Sequence, residues 1–201
     1  MFFLSQYCNF VEQNCNEYYT IVKLFFTLFL TIVLLSPLFS AALCVDVGVG
    51  KPAPDFILDY ATKDTIIEDG FTISKAIGKG IIVLAFYPAD WSGGCTKEMC
   101  TMRDNFEELA KLNAIVYGIS GDYPYSHKAW AKEHNLQFAL LSDNMHTVAA
   151  MYNSYNSENG YTNRTMFVID TQGTIAYADM HYSTKDLTSF QKLKEALRTI
   201  R

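Results

Sequence analysis

Charged residues are scarce in this sequence, 18% of 201 residues, against roughly a quarter in an ordinary soluble domain. Basic residues are the scarcer sign, 16 Lys and Arg against 21 Asp and Glu, for a net charge of −5. The absence of any Lys/Arg-rich run argues against a nucleic-acid-binding surface, and an anionic membrane surface would repel the bulk of the protein. Cysteine is sparse too. Five residues are too few for a disulfide scaffold, and the odd number leaves at least one thiol without a partner within the chain. The cysteines therefore point to chemistry rather than stapling. Metal-ligand spacing is also missing: His127, His134, His146 and His181 show no i, i+4 pairing with one another or with a cysteine pair, which argues against a zinc site. His127 and His134, seven apart on one expected helix, read as surface or edge residues. Neither an internal repeat nor a low-complexity segment is present.

The charge deficit is local. Residues 1–44 carry only Glu12, Glu17 and Lys23, so the 157 residues from Val45 onward hold 34 of the 37 charged side chains, about 22% and normal for a soluble domain. Residues 24–43, LFFTLFLTIVLLSPLFSAAL, contain no charge and are long enough to cross a bilayer as a helix. Ser40 and Ala42 also offer the small-x-small pattern of a signal-peptide cleavage site, although about twenty residues precede the apolar run and two of them are acidic. The expected division is 1–44, a signal peptide or membrane anchor, and 45–201, a soluble domain that is exported or membrane-anchored. A buried core helix is the third reading of 24–43. Bulky Leu43 before Cys44 argues against lipoprotein processing, and Cys8 and Cys15 read as incidental thiols of the leader.

Beyond the VGVGKPAP punctuation at 47–54, short strands are expected around 56–58 and 66–73, with a turn at Asp69-Gly70 and a short helix at 74–77. The continuous apolar run IIVLAFY at 81–87 reads as a buried central strand. Cys95, Met99, Met102, Phe106 and Leu109 then step by four, three, four and three residues, one stripe of a helix. Met99 and Met102 are core positions on that stripe. A second buried strand is expected at 114–120, a helix capped by Asp122 before Pro124, a short strand at 138–141 and a helix at 146–152. A polar loop at 153–163 leads to a hairpin of 165–170 and 174–179. Leu187, Phe190, Leu193, Leu197 and Ile200 line a final amphipathic helix. Strands alternating with helices, then a terminal hairpin and helix, predict an α/β sandwich with a central mixed β-sheet flanked by helices, plus the N-terminal hydrophobic helix.

The chemistry concentrates in residues 86–100, FYPADWSGGCTKEMC: a strand end, a loop and a helix start, with Cys95 in the first helical turn. Unpaired backbone N–H groups and the positive end of the helix dipole favour a thiolate there, which makes Cys95 a candidate nucleophile. Gly93 and Gly94 let the backbone curl around the sulfur, Ser92 places a hydroxyl nearby, and Pro88 can shield the thiolate from water.

This stretch resembles the peroxiredoxins, and within them the bacterioferritin-comigratory-protein or peroxiredoxin Q group. The resemblance runs from about Val47 to the C-terminus. It is carried by GKPAPDF at 50–56, FYPADWSGGCTKEMC, GISGD at 118–122 with Ser126, His127, Lys128 and Trp130, LLSD at 140–143, and Arg164 before TMFVID. Pro88, Ser92 and Cys95 match the family motif P-x-x-x-T/S-x-x-C, with Ser in place of the usual Thr and Gly93 in place of a frequent Pro. The resemblance implies a thioredoxin-like sandwich and a thiol peroxidase in which Cys95 is peroxidatic, Cys100 is resolving and Arg164 supports the thiolate and the polarised O–O bond. It also implies a hydroperoxide substrate, thioredoxin or a similar dithiol as reductant, a monomer or weak dimer, and no cofactor or metal. Residues five apart in an α-helix have Cα atoms about 8.6 Å apart, beyond the roughly 7 Å limit for a disulfide. The first turns of the helix must therefore unwind before Cys95 and Cys100 join.

Two rivals share the expected fold. A membrane-tethered thiol-disulfide oxidoreductase needs C-x-x-C, which is absent. A copper-delivery protein uses C-x-x-x-C with a distant His and leaves Ser92 and Arg164 unexplained. The Asn163-Arg164-Thr165 glycosylation sequon reads as coincidental beside the candidate arginine.

Overall fold

The computed structural model describes residues 23–24 and 46–200, so the helix expected over 24–43 lies, Leu24 apart, outside the described residues. In chain order the elements are β1 (Ile57–Ala61), β2 (Ile66–Thr72), α1 (Ile73–Ala76), β3 (Ile81–Phe86), α2 (Gly93–Asp104), α3 (Phe106–Lys111), β4 (Ala114–Ser120), α4 (Pro124–Glu133), β5 (Ala139–Ser142), α5 (Thr147–Met151), β6 (Tyr155–Asn156), β7 (Tyr161–Thr162), β8 (Thr165–Ile169), β9 (Ile175–Asp179) and α6 (Thr188–Thr199). Seven strands form one sheet in the order β2-β1-β5-β4-β3-β8-β9. The β3–β4 and β4–β5 pairs are parallel, and the outer pairs are antiparallel. The mixed sheet is as expected, and among the described residues no helix is long and apolar enough to cross a membrane.

All six residues of β3 are buried, because helices cover both faces of the sheet and neither set of alternating side chains meets water. Ile81, Val83 and Ala85 face a core shared with Cys95, Met99 and Met102 of α2, Leu109, Trp130, Phe190 and Leu193. Ile82, Leu84 and Phe86 face the other core, with Ile73 and Ala76 of α1 and Val148, Ala149 and Tyr152 from α5 and its end. The expected stripe from Cys95 to Leu109 packs inward, although the helix breaks at Asn105 into α2 and α3 and Phe106 is only partly buried.

Four local expectations are corrected. The turn between β1 and β2 lies at Thr62–Thr65, where the Thr62 hydroxyl accepts from the Asp64 and Thr65 amides. Asp69 and Gly70 sit inside β2, at a bulge where Leu58 pairs with Phe71 and Tyr60 with Ile67. A Cβ on Gly70 would lie 2.3 Å from Ile67 Cγ2, so this glycine permits close backbone approach at a bulge rather than a turn. Asp122 does not cap α4, since the preceding residue is Tyr123 with no side-chain cap. Its carboxylate instead accepts from the Asp90 amide at 2.8 Å and the Ser120 hydroxyl at 2.7 Å. Leu187 lies just outside α6 and is exposed. His127 is fully buried rather than at the surface. In the LLSD run, Asp143 is buried and accepts from the Val148 and Ala149 amides, capping the start of α5.

Candidate active site

β3 ends at Phe86, and the loop from Tyr87 to Ser92 delivers the chain to α2, whose third residue is Cys95. The Ser92 carbonyl accepts from the Thr96 amide at 2.8 Å, starting the helix, and Cys95 lies in the first turn, where backbone N–H groups point past the helix end. Its side chain is buried, whereas Cys100, further along α2, is partly exposed; both are free thiols. With both cysteines on a continuous α2, the geometric separation of residues five apart applies to this state.

Arg164, immediately before β8, reaches across to α2. Its Nη2 donates to Cys95 Sγ at 3.4 Å and its Nη1 donates to Glu98 Oε2. One planar guanidinium thus holds a sulfur and a carboxylate, as a fork of fixed donors can. A Cβ on Gly94 would stand 3.1 Å from Nη2, so the missing side chain leaves the space this arm occupies. Partial burial works against the arginine's charge, but Glu98 and Cys95 outweigh it and raise its pKa above the ordinary value. Glu98 is fully buried. Burial pushes its carboxyl up to about 7 despite the opposing effect of Arg164, and its Oε1 has no hydrogen-bond partner. Tyr182, whose amide donates to the Arg164 carbonyl, closes this side, its phenol held above the usual range mainly by burial and further by the Glu98 charge.

Of the residues singled out from sequence, Cys95 and Arg164 meet directly. The Ser92 hydroxyl is exposed and donates to the Ala89 carbonyl at 3.2 Å, Pro88 is half-buried at the strand exit, and Cys100 lies away from this contact on α2. Sequence reasoning missed Glu98. Its signal was a carboxylate three residues after Cys95, on the same helical face. It also missed the cluster behind the loop. Asp90, 6% exposed, accepts from Tyr87 Oη at 2.8 Å and Ser126 Oγ at 2.8 Å and faces His127 Nδ1 at 3.0 Å. Among the described residues no group of three or more His, Cys, Asp or Glu side chains is arranged to hold a metal ion, and His127 lies with Asp90 rather than beside Cys95.

A mixed sheet covered by helices on both faces, with a buried free thiol in the first turn of a helix and an arginine against it, defines a thioredoxin-like protein with a candidate thiol centre. More narrowly, the AhpC/TSA family model matches residues 49–178, and the chain belongs to that family. It is 41% identical to the chloroplastic peroxiredoxin Q of Triticum aestivum over 140 residues, 69% of this chain and 61% of that protein. It is 32% identical to peroxiredoxin Bcp of Bacillus subtilis (strain 168) over 161 residues, 77% of this chain and 96% of that protein. The chain therefore spans about three fifths of the wheat relative and nearly all of the bacterial one. The crystal structure of the peroxidoxin BcpB from Mycobacterium tuberculosis superposes with a TM-score of 0.67 at 32% identity, covering 78% of this chain and 99% of that one.

Proposed function

We propose that the protein is a thiol-dependent peroxidase that reduces hydrogen peroxide and organic hydroperoxides, with Cys95 as the peroxidatic cysteine. The observation that carries this reading is the Arg164 guanidinium bridging Cys95 Sγ and Glu98 at the start of α2. Helix N-terminus and guanidinium both favour negative charge on the sulfur, and the same cation can polarise an O–O bond laid beside it. The names of the peroxiredoxin Q and Bcp relatives support the same class.

In the first step the Cys95 thiolate attacks one peroxide oxygen and the O–O bond breaks. The sulfur is oxidised to a sulfenic acid, and the other oxygen leaves as water or an alcohol after taking up a proton. In this reading Pro88 would shield the sulfur from bulk water, and the exposed Ser92 hydroxyl, which donates to the Ala89 carbonyl, would turn to orient the peroxide. In the second step α2 unwinds, Cys100 attacks the sulfenic sulfur, and a disulfide forms with loss of water. An external dithiol, thioredoxin or a similar protein, then exchanges with the disulfide and restores both thiols. No step calls for a metal or an organic cofactor. The low charge of residues 1–44 and the uncharged stretch at 24–43 support a targeting leader, separate from a catalytic domain over 45–201.

The test is peroxide consumption by the full chain with thioredoxin, thioredoxin reductase and NADPH. Cys95→Ser is expected to abolish turnover. Cys100→Ser is expected to permit one oxidation per chain and to slow thioredoxin-dependent recycling at least tenfold. Turnover that survives Cys95→Ser overturns the assignment.

A further inference from the structure

The loop that carries Cys95 is anchored at its two ends to different parts of the molecule, by bonds of very different kinds. On the side before the cysteine, Asp90 is buried against α4 and its carboxylate is satisfied by Tyr87, Ser126 and His127. The opposite ring nitrogen, His127 Nε2, lies 3.2 Å from the Leu141 carbonyl, so the ring is fixed at both nitrogens with Nδ1 facing the carboxylate. The Asp90 amide is held by Asp122 at 2.8 Å. Trp91, next in sequence, has a φ of 61°, a left-handed conformation rare for a bulky residue and kept only where its surroundings enforce it. Its indole Nε1 donates at 3.1 Å to the Ser126 hydroxyl that itself donates to Asp90, and its ring lies near that of His134. The Ser126 hydroxyl thus fastens two consecutive loop residues at once.

On the other side, the polar bonds at the start of α2 are the contact of Cys95 with Arg164, the Glu98–Arg164 ion pair and an exposed bond from Lys97 Nζ to the Lys185 carbonyl, beside the core packing of Met99 and Met102. A disulfide at Cys95 would take the sulfur out of the first of these contacts, whereas the partners of Asp90 are Tyr87, Ser126 and His127 and include no thiol. Freeing Asp90 would strip a buried side chain of its Tyr87, Ser126 and His127 partners, a costly loss for a desolvated polar group.

We propose that Asp90, Ser126 and His127 are positioning residues that keep Pro88 through Ser92 fixed while α2 unwinds from Gly93 onward, so half of the peroxide site survives in the disulfide state. The inference builds on the Cys95–Cys100 disulfide of the proposed cycle. Its test does not need peroxidase activity, because the dithiol can be oxidised with diamide.

The experiment is amide hydrogen exchange on the full chain in the dithiol and diamide-oxidised forms. The Asp90 amide is expected to exchange within twofold of the same rate in both, while amides of residues 96–101 speed up at least tenfold on oxidation. In Ser126→Ala the Asp90 amide is expected to lose protection at least tenfold in the disulfide form, with kcat/KM for peroxide lowered several-fold. Ser126→Thr, which keeps the hydroxyl, is expected to restore both. Loss of Asp90 protection in the oxidised wild type alongside residues 96–101 overturns the proposal. So does a Ser126→Thr variant that behaves like Ser126→Ala while melting like the wild type.

Discussion

Glu98 shows how one buried side chain sets the character of the whole site. It shares Arg164 with Cys95, so carboxylate and sulfur compete for a single positive charge. The folded protein keeps a proton on Glu98 up to about pH 7, whereas the unfolded chain releases it above about 4.5. Between those values the folded state binds more protons, so this group's contribution to stability is fullest below about 4.5 and is lost as pH rises through 7. Glu98→Gln keeps the shape and an oxygen for Arg164 but carries no charge. It is expected to gain stability relative to wild type between pH 5 and 8, by up to about 3 kcal/mol. Urea denaturation at four pH values measures this, and a pH-independent difference would show that the buried carboxyl does not titrate in this window. Gly94 belongs to the same scale: a Cβ 3.1 Å from Arg164 Nη2 would crowd the contact that holds the sulfur.

Each secondary-structure element takes its role from what lies on both sides of it. β3 has no polar face because two cores meet across it, and that makes it a rigid platform for the loop above. β2, at the sheet edge, instead absorbs extra residues in a bulge, and Gly70 sits at the crowded point. Gly70→Ala pushes a methyl against Ile67 and Tyr60 and is expected to cost about 1–3 kcal/mol, read from the urea midpoint. A change within about 0.3 kcal/mol would mean that the bulge relaxes around a side chain. Helix α2 buries Met99 and Met102 and also carries both cysteines of the proposed disulfide, which five residues of helix hold too far apart to bond until the helix opens.

For the molecule as a whole, that conflict predicts a dithiol form more stable than the disulfide form, the reverse of a structural disulfide. Two methionines leaving the core lose roughly 1.5–3 kcal/mol each. Closing so short a loop contributes about 2 kcal/mol through the unfolded chain. The dithiol is therefore expected to melt several degrees higher in calorimetry. A disulfide form with the higher Tm would show that Met99 and Met102 stay packed after the bond forms. The sequence by itself determined the parts governed by periodicity and local spacing: the buried run that became β3, the inward stripe of α2 and α3, the terminal hairpin and helix, and Cys95 at a helix start. These follow from side-chain burial and unpaired amides within a few residues. Only the tertiary structure decided that Asp69-Gly70 is a bulge, that Asp122 holds the Asp90 amide instead of capping α4, that His127 is buried against Asp90, and that Glu98 shares Arg164 with the cysteine. Each of those depends on a partner 10 to 70 residues away, brought near by strand pairing and helix packing that no local pattern encodes.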